Sequence, residues 1–238
     1  IDGVLEKNEL IDQGPNLRAV VYWGHAPNSH TRGKQMVEAM KKLDLVVVVD
    51  PYPSGTAAMA GMVRKENLYL LPAATQFETS GSVTASNRSL QWRERLIAPK
   101  FESQTDHAIM LAFAKKFGWD KEFMKNYETW KPDSNKLEEP TPESVLKEIN
   151  KATWTIGYTG QSPERLKLHM KNMQTFDVKT LRAKGGPCDG DYFGLPWPCY
   201  GNPELKHPGS PNLYQTSRNV VDGGGNFRSN FGVERDGV

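Results

Sequence analysis

The residues of this chain best suited to binding chemistry gather at two turns. The first, Trp23-Gly24-His25-Ala26-Pro27-Asn28-Ser29, offers backbone N–H groups, a glycine and small polar side chains directly after an apolar run. Such a loop can receive a phosphate or a sugar, because glycine lets the backbone approach closely and neighbouring amides converge on an anion. The same residues also suit an ordinary strand-to-helix turn in which Ser29 or Thr31 caps the next helix. Residue types alone leave both readings open. The second is the loop Asp50–Ser54, opening on Asp50-Pro51 at the end of a run of valines. Its carboxylate could accept from ribose hydroxyls or from the N–H edge of a guanine, or it could close a local Asx turn against the proline.

Other reactive side chains carry less. His25 and His30 are five apart across a turn, a spacing that does not place both on one helical face, so a metal site there is the weaker reading. His107, His169 and His207 read as isolated surface or packing residues. Glu78, Glu102 and Asp106 are not visibly paired as acid and base. Cys188 and Cys199 match neither a zinc nor an iron–sulfur spacing, which leaves a disulfide or buried thiols. The sequence has no Gly-x-Gly-x-x-Gly, P-loop, nucleophile elbow or His-Glu-x-x-His. It therefore assigns no catalytic residue and no metal ligand.

The elements that must position the two turns follow from periodicity. Arg18–Trp23 is a short β-branched and aromatic run that reads as a strand, and Arg32–Lys42 places Met36, Val37 and Met40 on helical spacing. Leu45–Val49 is a continuous apolar run, which suits a parallel strand covered on both faces. Thr56–Val63 reads as a helix and Leu68–Leu71 as a third strand. The alternation predicts an α/β fold, a Rossmann-like parallel sheet with flanking helices. In such sheets ligands lie beyond the carboxyl ends of the strands, where both turns fall. Downstream, Thr105–Phe117 is an amphipathic helix with Asp106 in its first turn. Residues 128–142 read as a linker or surface excursion, and helices are expected up to Lys151 and from Ser162-Pro163-Glu164. Residues 184–238 are Gly/Pro-rich and irregular, too long for an ordinary loop.

The expected organisation is thus an α/β domain over 1–127, a helical extension over 128–183 and an irregular segment over 184–238 that packs on other domains or subunits. The hydrophobic fraction of 37%, counted without glycine, is low beside the roughly 45–50% usual with glycine's roughly 7% included, which agrees with such external packing. The chain is expected to be a fragment of a larger subunit. A net charge of +2 with interleaved signs points to no nucleic-acid partner. The longest apolar run, Leu45–Val49, is far too short to cross a bilayer as a helix.

A family resemblance rests on Leu70-Leu71-Pro72-Ala73-Ala74-Thr75-Gln76-Phe77-Glu78-Thr79-Ser80-Gly81, followed by Val83-Thr84-Ala85-Ser86-Asn87-Arg88 and Gln91. These residues resemble the LPxxTxxExxGxxTNxxRxxQ signature of the molybdopterin oxidoreductases, the DMSO reductase family. The W-G-x-x-P-x-S loop, the V-V-D-P-Y-P turn with Thr56-Ala57, and Ser103-Gln104-Thr105-Asp106 stand in the family's order, so the resemblance covers about residues 17–119. Within the family, the blocks TQFETSGSVTASNRSLQWR, TWTIGYTGQSPERLKLHM and GGPCDGDYFGLPWPCYGNPELKHPG resemble the large catalytic subunit of respiratory, membrane-associated formate dehydrogenases.

The resemblance implies a bis-molybdopterin guanine dinucleotide cofactor holding molybdenum or tungsten, with this segment as the second of two α/β domains that cradle it. Carried over by position, the cofactor contacts fall on Gly24, His25 and Ala26, on Val49 and Asp50, on Thr79 and on Asp106. Many relatives have Asn at the position of Ala26, a role Asn28 could take, and some have Lys at Thr79. The resemblance further implies formate oxidation to carbon dioxide by the parent subunit, with the metal-ligating cysteine or selenocysteine and an iron–sulfur cluster outside this chain. It also implies an iron–sulfur electron-transfer subunit, a membrane cytochrome b subunit and a periplasmic setting. A non-catalytic interaction fragment, or a piece of another reductase such as nitrate or polysulfide reductase, stands as the alternative.

Overall fold

The valine run forms the centre of the sheet. In the computed structural model, which describes residues 4, 17–26, 31–85, 89–152 and 162–194, β1 (Ala19–Trp23), β2 (Leu45–Asp50) and β3 (Leu68–Pro72) form a parallel sheet in the order β1-β2-β3. Val20 pairs with Val46 and Trp23 with Val49 on one side of β2, while Val47 pairs with Tyr69 and Asp50 with Pro72 on the other. Successive residues of a strand face opposite sides. Val46 and Val48 accordingly pack with Ala39, Met40, Leu43 and Ala60, whereas Val47 and Val49 pack with Ala73 and Ile109. All four valines are buried, at about 1.5–3 kcal/mol each. This is the doubly covered strand expected from the run.

The first face is covered by α1 (Gly33–Lys42) and α2 (Gly55–Val63). The guanidinium of Arg64 closes α1 by donating to the carbonyl oxygens of Met40, Leu43 and Asp44, where the helix dipole favours a cation. Thr31 does not cap α1: its N-cap position is Arg32, without a side-chain capping bond, and Ser29, the other expected cap, lies outside the described residues. The second face receives Ile109 and Phe113 of α3 (Asp106–Phe117). The α/β class and the parallel sheet are as the sequence predicts.

By contacts the chain divides into two compact units, one within Ile1–Thr79, Leu96–Phe113 and Asp133–Leu137, the other within Ser80–Arg95, Ala114–Pro132 and Glu138–Val238. The second unit holds elements that periodicity did not reveal. β4 (Gly81–Thr84) and β5 (Leu90–Arg93) pair antiparallel, with Gly81 opposite Arg93 and Thr84 opposite Leu90. Four-residue strands are too short for a clear alternation. Following α4 (Asp120–Met124), the stretch read as a linker forms a small antiparallel ribbon, β6 (Thr129–Trp130) with β7 (Glu139–Pro140).

α5 (Pro142–Ala152) and α6 (Pro163–Lys171) lie where expected, α6 opening on Ser162, whose hydroxyl accepts from the Arg165 amide at 3.1 Å. Leu90, Trp92, Leu146 and Leu166 form one core cluster of this unit, and Phe176, Ala183, Cys188 and Phe193 form another. His169, read as isolated, is 1% exposed and paired. Its Nε2 lies 3.0 Å from Asp191 Oδ2, and its Nδ1 accepts from the Gly194 amide at 3.2 Å. Cys188 is a buried free thiol; Cys199, His30, His207 and residues 195–238 of the irregular segment lie outside the described residues.

Candidate functional site

The site is built at the carboxyl ends of β1 and β2. Where β1 ends, Gly24 turns at φ +56°, a conformation L side chains rarely adopt, and its amide donates to Val49 O at 3.0 Å. Open space surrounds the position where a β-carbon would stand. The backbone there presents an uncovered surface, as a close ligand approach requires. The next residues are pinned from α2: the buried Thr56 hydroxyl donates to the carbonyl oxygen of His25. His25 itself is exposed and stacks on Tyr22, with ring centroids 6.1 Å apart. Ala26 is also exposed.

Asp50 closes β2 half-buried, its carbonyl taken by the Ala73 amide at 3.0 Å. Four residues on, Ser54 begins α2 in an extended conformation without making a capping bond. Its hydroxyl oxygen is buried and has no hydrogen-bond partner among the described residues. A buried polar atom left unpaired is costly, and an ordered water, an ion or a ligand can satisfy it. The sequence reading placed Ser54 at the end of the second loop and gave it no role. The signal was available: a hydroxyl at a helix start, four residues past a strand-end aspartate.

Asp106 stands in the first turn of α3, half-buried, and its Oδ1 accepts from the indole N–H of Trp23 at 2.6 Å. The end of β1 and the start of α3 are joined through that bond. Burial pushes the neighbouring His107 imidazole below its ordinary value, with the charge of Asp106 acting against it. The structure thus gathers Gly24, His25 and Ala26 on one loop, ties Gly24 to Val49, and links Asp106 to that loop through Trp23. Thr79 lies on the loop after β3, where its hydroxyl is directed at Thr75 O, 3.5 Å away.

That loop is organised by Glu78, a buried carboxylate. One oxygen accepts from the Thr75 amide at 2.7 Å and its hydroxyl at 2.9 Å, the other from the Lys100 amide at 2.9 Å. Burial alone would raise the Glu78 pKa. The bonds from Thr75 and Lys100, with the Lys100 charge, outweigh it and hold the carboxyl below its ordinary value. Fully engaged by backbone, Glu78 is a loop staple. Among the described residues no group of three or more His, Cys, Asp and Glu side chains could hold a metal ion. No helix among them is long and apolar enough to cross a membrane.

Residues 3–116 match the sequence model of the family described as "Molybdopterin oxidoreductase". The F420-dependent formate dehydrogenase subunit alpha of Methanocaldococcus jannaschii is 32% identical over 162 residues, 67% of this chain and 21% of that protein. The F420-dependent formate dehydrogenase 1 subunit alpha of Methanococcus maripaludis is 26% identical over 219 residues, 92% of this chain and 25% of that protein. The trimethylamine-N-oxide reductase of Vibrio cholerae is 31% identical over 137 residues, 52% of this chain and 16% of that protein. The matches span no more than a quarter of the length of these relatives. The chain belongs to the molybdopterin oxidoreductase family, whose members work with a molybdopterin-type cofactor, and its candidate site lies within the matched residues.

Proposed function

We propose that this chain is the cofactor-binding portion of a formate dehydrogenase catalytic subunit, holding the guanosine and phosphate end of a bis-molybdopterin guanine dinucleotide. The observation that carries the reading is the chemistry gathered around the ends of β1 and β2: an unobstructed glycine turn, a buried hydroxyl without a partner among the described residues, and two carboxylates. This donor set fits such a group. Asp106 would accept from guanine N–H groups and Asp50 from ribose hydroxyls, while amides of the Gly24–Ala26 loop would donate to phosphate. Ser54 would give its unused hydroxyl to the same ligand. The bound cofactor, with molybdenum or tungsten, supplies the redox chemistry; the residues here bind and orient it. Thr79 contributes a hydroxyl where a charged partner would hold phosphate more strongly. In this reading the parent is periplasmic and is attached to the membrane through partners, an iron–sulfur electron-transfer subunit and a membrane cytochrome b subunit.

Two formate dehydrogenase alpha subunits among the relatives favour formate as substrate. The likeness to a trimethylamine-N-oxide reductase favours a second reading, an N-oxide reductase. The test is to purify the full-length polypeptide that contains this chain and measure formate-dependent dye reduction beside N-oxide-dependent dye oxidation. Metal content and guanine nucleotide released on denaturation are measured on the same sample. Formate oxidation with bound guanine nucleotide is the expected result. N-oxide reduction without formate turnover would establish the second reading, and a preparation lacking guanine nucleotide would remove the dinucleotide from the proposal.

A further inference from the structure

The indole of Trp23 occupies a position that the ligand chemistry proposed above leaves unused. Its N–H donates to Asp106 Oδ1 at 2.6 Å, in a part-buried setting. The ring is itself held: it packs on Phe113, with centroids 6.3 Å apart and planes at 54°, beside the cluster of Val47, Val49, Ala73 and Ile109. Its backbone is fixed by pairing with Val49, and the next amide, Gly24, donates to Val49 O. The donor is therefore anchored by the sheet and by α3 together.

A carboxylate on the first turn of a helix turns readily, because the terminal torsion of Asp is broad and roughly two-fold. Recognition of a planar N–H edge needs that plane fixed beforehand; otherwise the ligand must order it on binding. An ionised carboxylate offers about four acceptor sites over its two oxygens, so one bond from Trp23 leaves capacity for a ligand. The ionised carboxylate itself only accepts, so once fixed it disfavours a ligand edge that presents acceptors. We propose that Trp23 is the positioning residue for guanine selection: its indole N–H presets the Asp106 carboxylate to accept from a guanine N–H edge. This rests on the reading of Asp106 as the guanine acceptor.

The experiment measures binding of GMP, IMP and AMP to the full chain by calorimetry, for the unsubstituted protein, Trp23→Phe, Asp106→Asn and the double variant. Trp23→Phe keeps a ring against Phe113 and removes the N–H. Should that variant fold poorly by near-ultraviolet circular dichroism, replacement of Trp23 by benzothienylalanine, a sulfur isostere of tryptophan, removes the N–H with the shape retained. The expected result is a GMP affinity about five- to thirty-fold weaker, a reduced preference for GMP over IMP and AMP, and no additional loss in the double variant beyond Asp106→Asn. Three outcomes overturn the inference. GMP affinity unchanged by Trp23→Phe, with Asp106→Asn weakening it, sinks the role of Trp23 alone. Additive losses in the double variant show that Trp23 acts by another route. Absence of GMP binding, or binding indifferent to Asp106→Asn, removes the reading of Asp106 and the inference with it.

Discussion

Gly24 and Glu78 serve neighbouring loops by opposite means, one through its missing side chain and the other through a fully engaged one. At φ +56° with open space around it, Gly24 separates backbone strain from steric obstruction. Gly24→Ala meets no atom, yet it places an L residue in the left-handed region, at about 1–2 kcal/mol. Urea unfolding should record that loss. Glu78→Gln replaces one acceptor oxygen by an N–H₂ group facing backbone donors of Thr75 or Lys100. A loss of roughly 1–3 kcal/mol is expected in the same assay. The places of Gly24 and Asp50 at strand ends, and of Asp106 at a helix start, were legible in the sequence because such positions follow from local periodicity, whereas their proposed contacts come from the family resemblance. The burial of the Ser54 hydroxyl and the Thr75–Glu78–Lys100 staple were not legible. Whether a side chain is buried, and whether its partner 22 residues away reaches it, is decided by tertiary packing that no local pattern records.

At the scale of elements, the stretch read as a linker shows the same limit. Residues 128–142 are polar and broken by prolines, features that a surface loop and a short ribbon share. Packing decides between them: Glu139 is 3% exposed and Lys136 5%. The Lys136 ammonium donates to Phe101 O at 2.7 Å and Ser103 O at 3.1 Å, while the Leu137 amide donates to Gln104 Oε1 at 2.9 Å. These bonds brace the loop that leads into α3, whose first turn carries Asp106, and Phe101 within it adopts φ +49°. Lys136→Met keeps most of the buried stem and deletes the donor. The variant should lose about 1–3 kcal/mol through the carbonyls left unpaired. Amide hydrogen exchange should quicken across 101–106 and stay unchanged in β2. Uniform quickening would mean that Lys136 stabilises the unit at large and not this loop. The main helices and the three parallel strands, by contrast, were readable from spacing alone, since each spans at least one full period of its pattern.

The whole molecule couples these local devices to pH. Burial pushes the His169 imidazole below its ordinary value of 6.5, with Asp191 opposing and Arg165 reinforcing the shift, and His107 is displaced the same way, mainly by burial. The geometry around His169 agrees: Nδ1 accepts from Gly194 N–H, so a proton there would face a donor. Gly194 cannot retreat easily, for a β-carbon on it would stand 2.2 Å from Leu90 O and its own carbonyl accepts from the Leu90 amide. For a histidine whose folded value is depressed, the unfolded chain binds the proton more readily. Stability is therefore complete above the ordinary histidine value and falls as pH drops through it. The carboxylates behave alike in a lower window. Glu78 is held below its ordinary 4.5 against the effect of burial, and Asp177 is depressed by its bond from Lys184 and by the Thr180 and Lys179 amides. Their contributions are present above the ordinary carboxylate range and are lost in more acid solution. Urea midpoints measured from pH 8 to pH 3 should thus fall in two limbs, one starting near neutrality and one below about pH 4.5. His169→Gln should shallow the upper limb and leave the lower one in place, while Glu78→Gln should do the reverse. An upper limb of unchanged slope in His169→Gln would place the neutral-range proton uptake elsewhere than in the His169–Asp191–Gly194 contact.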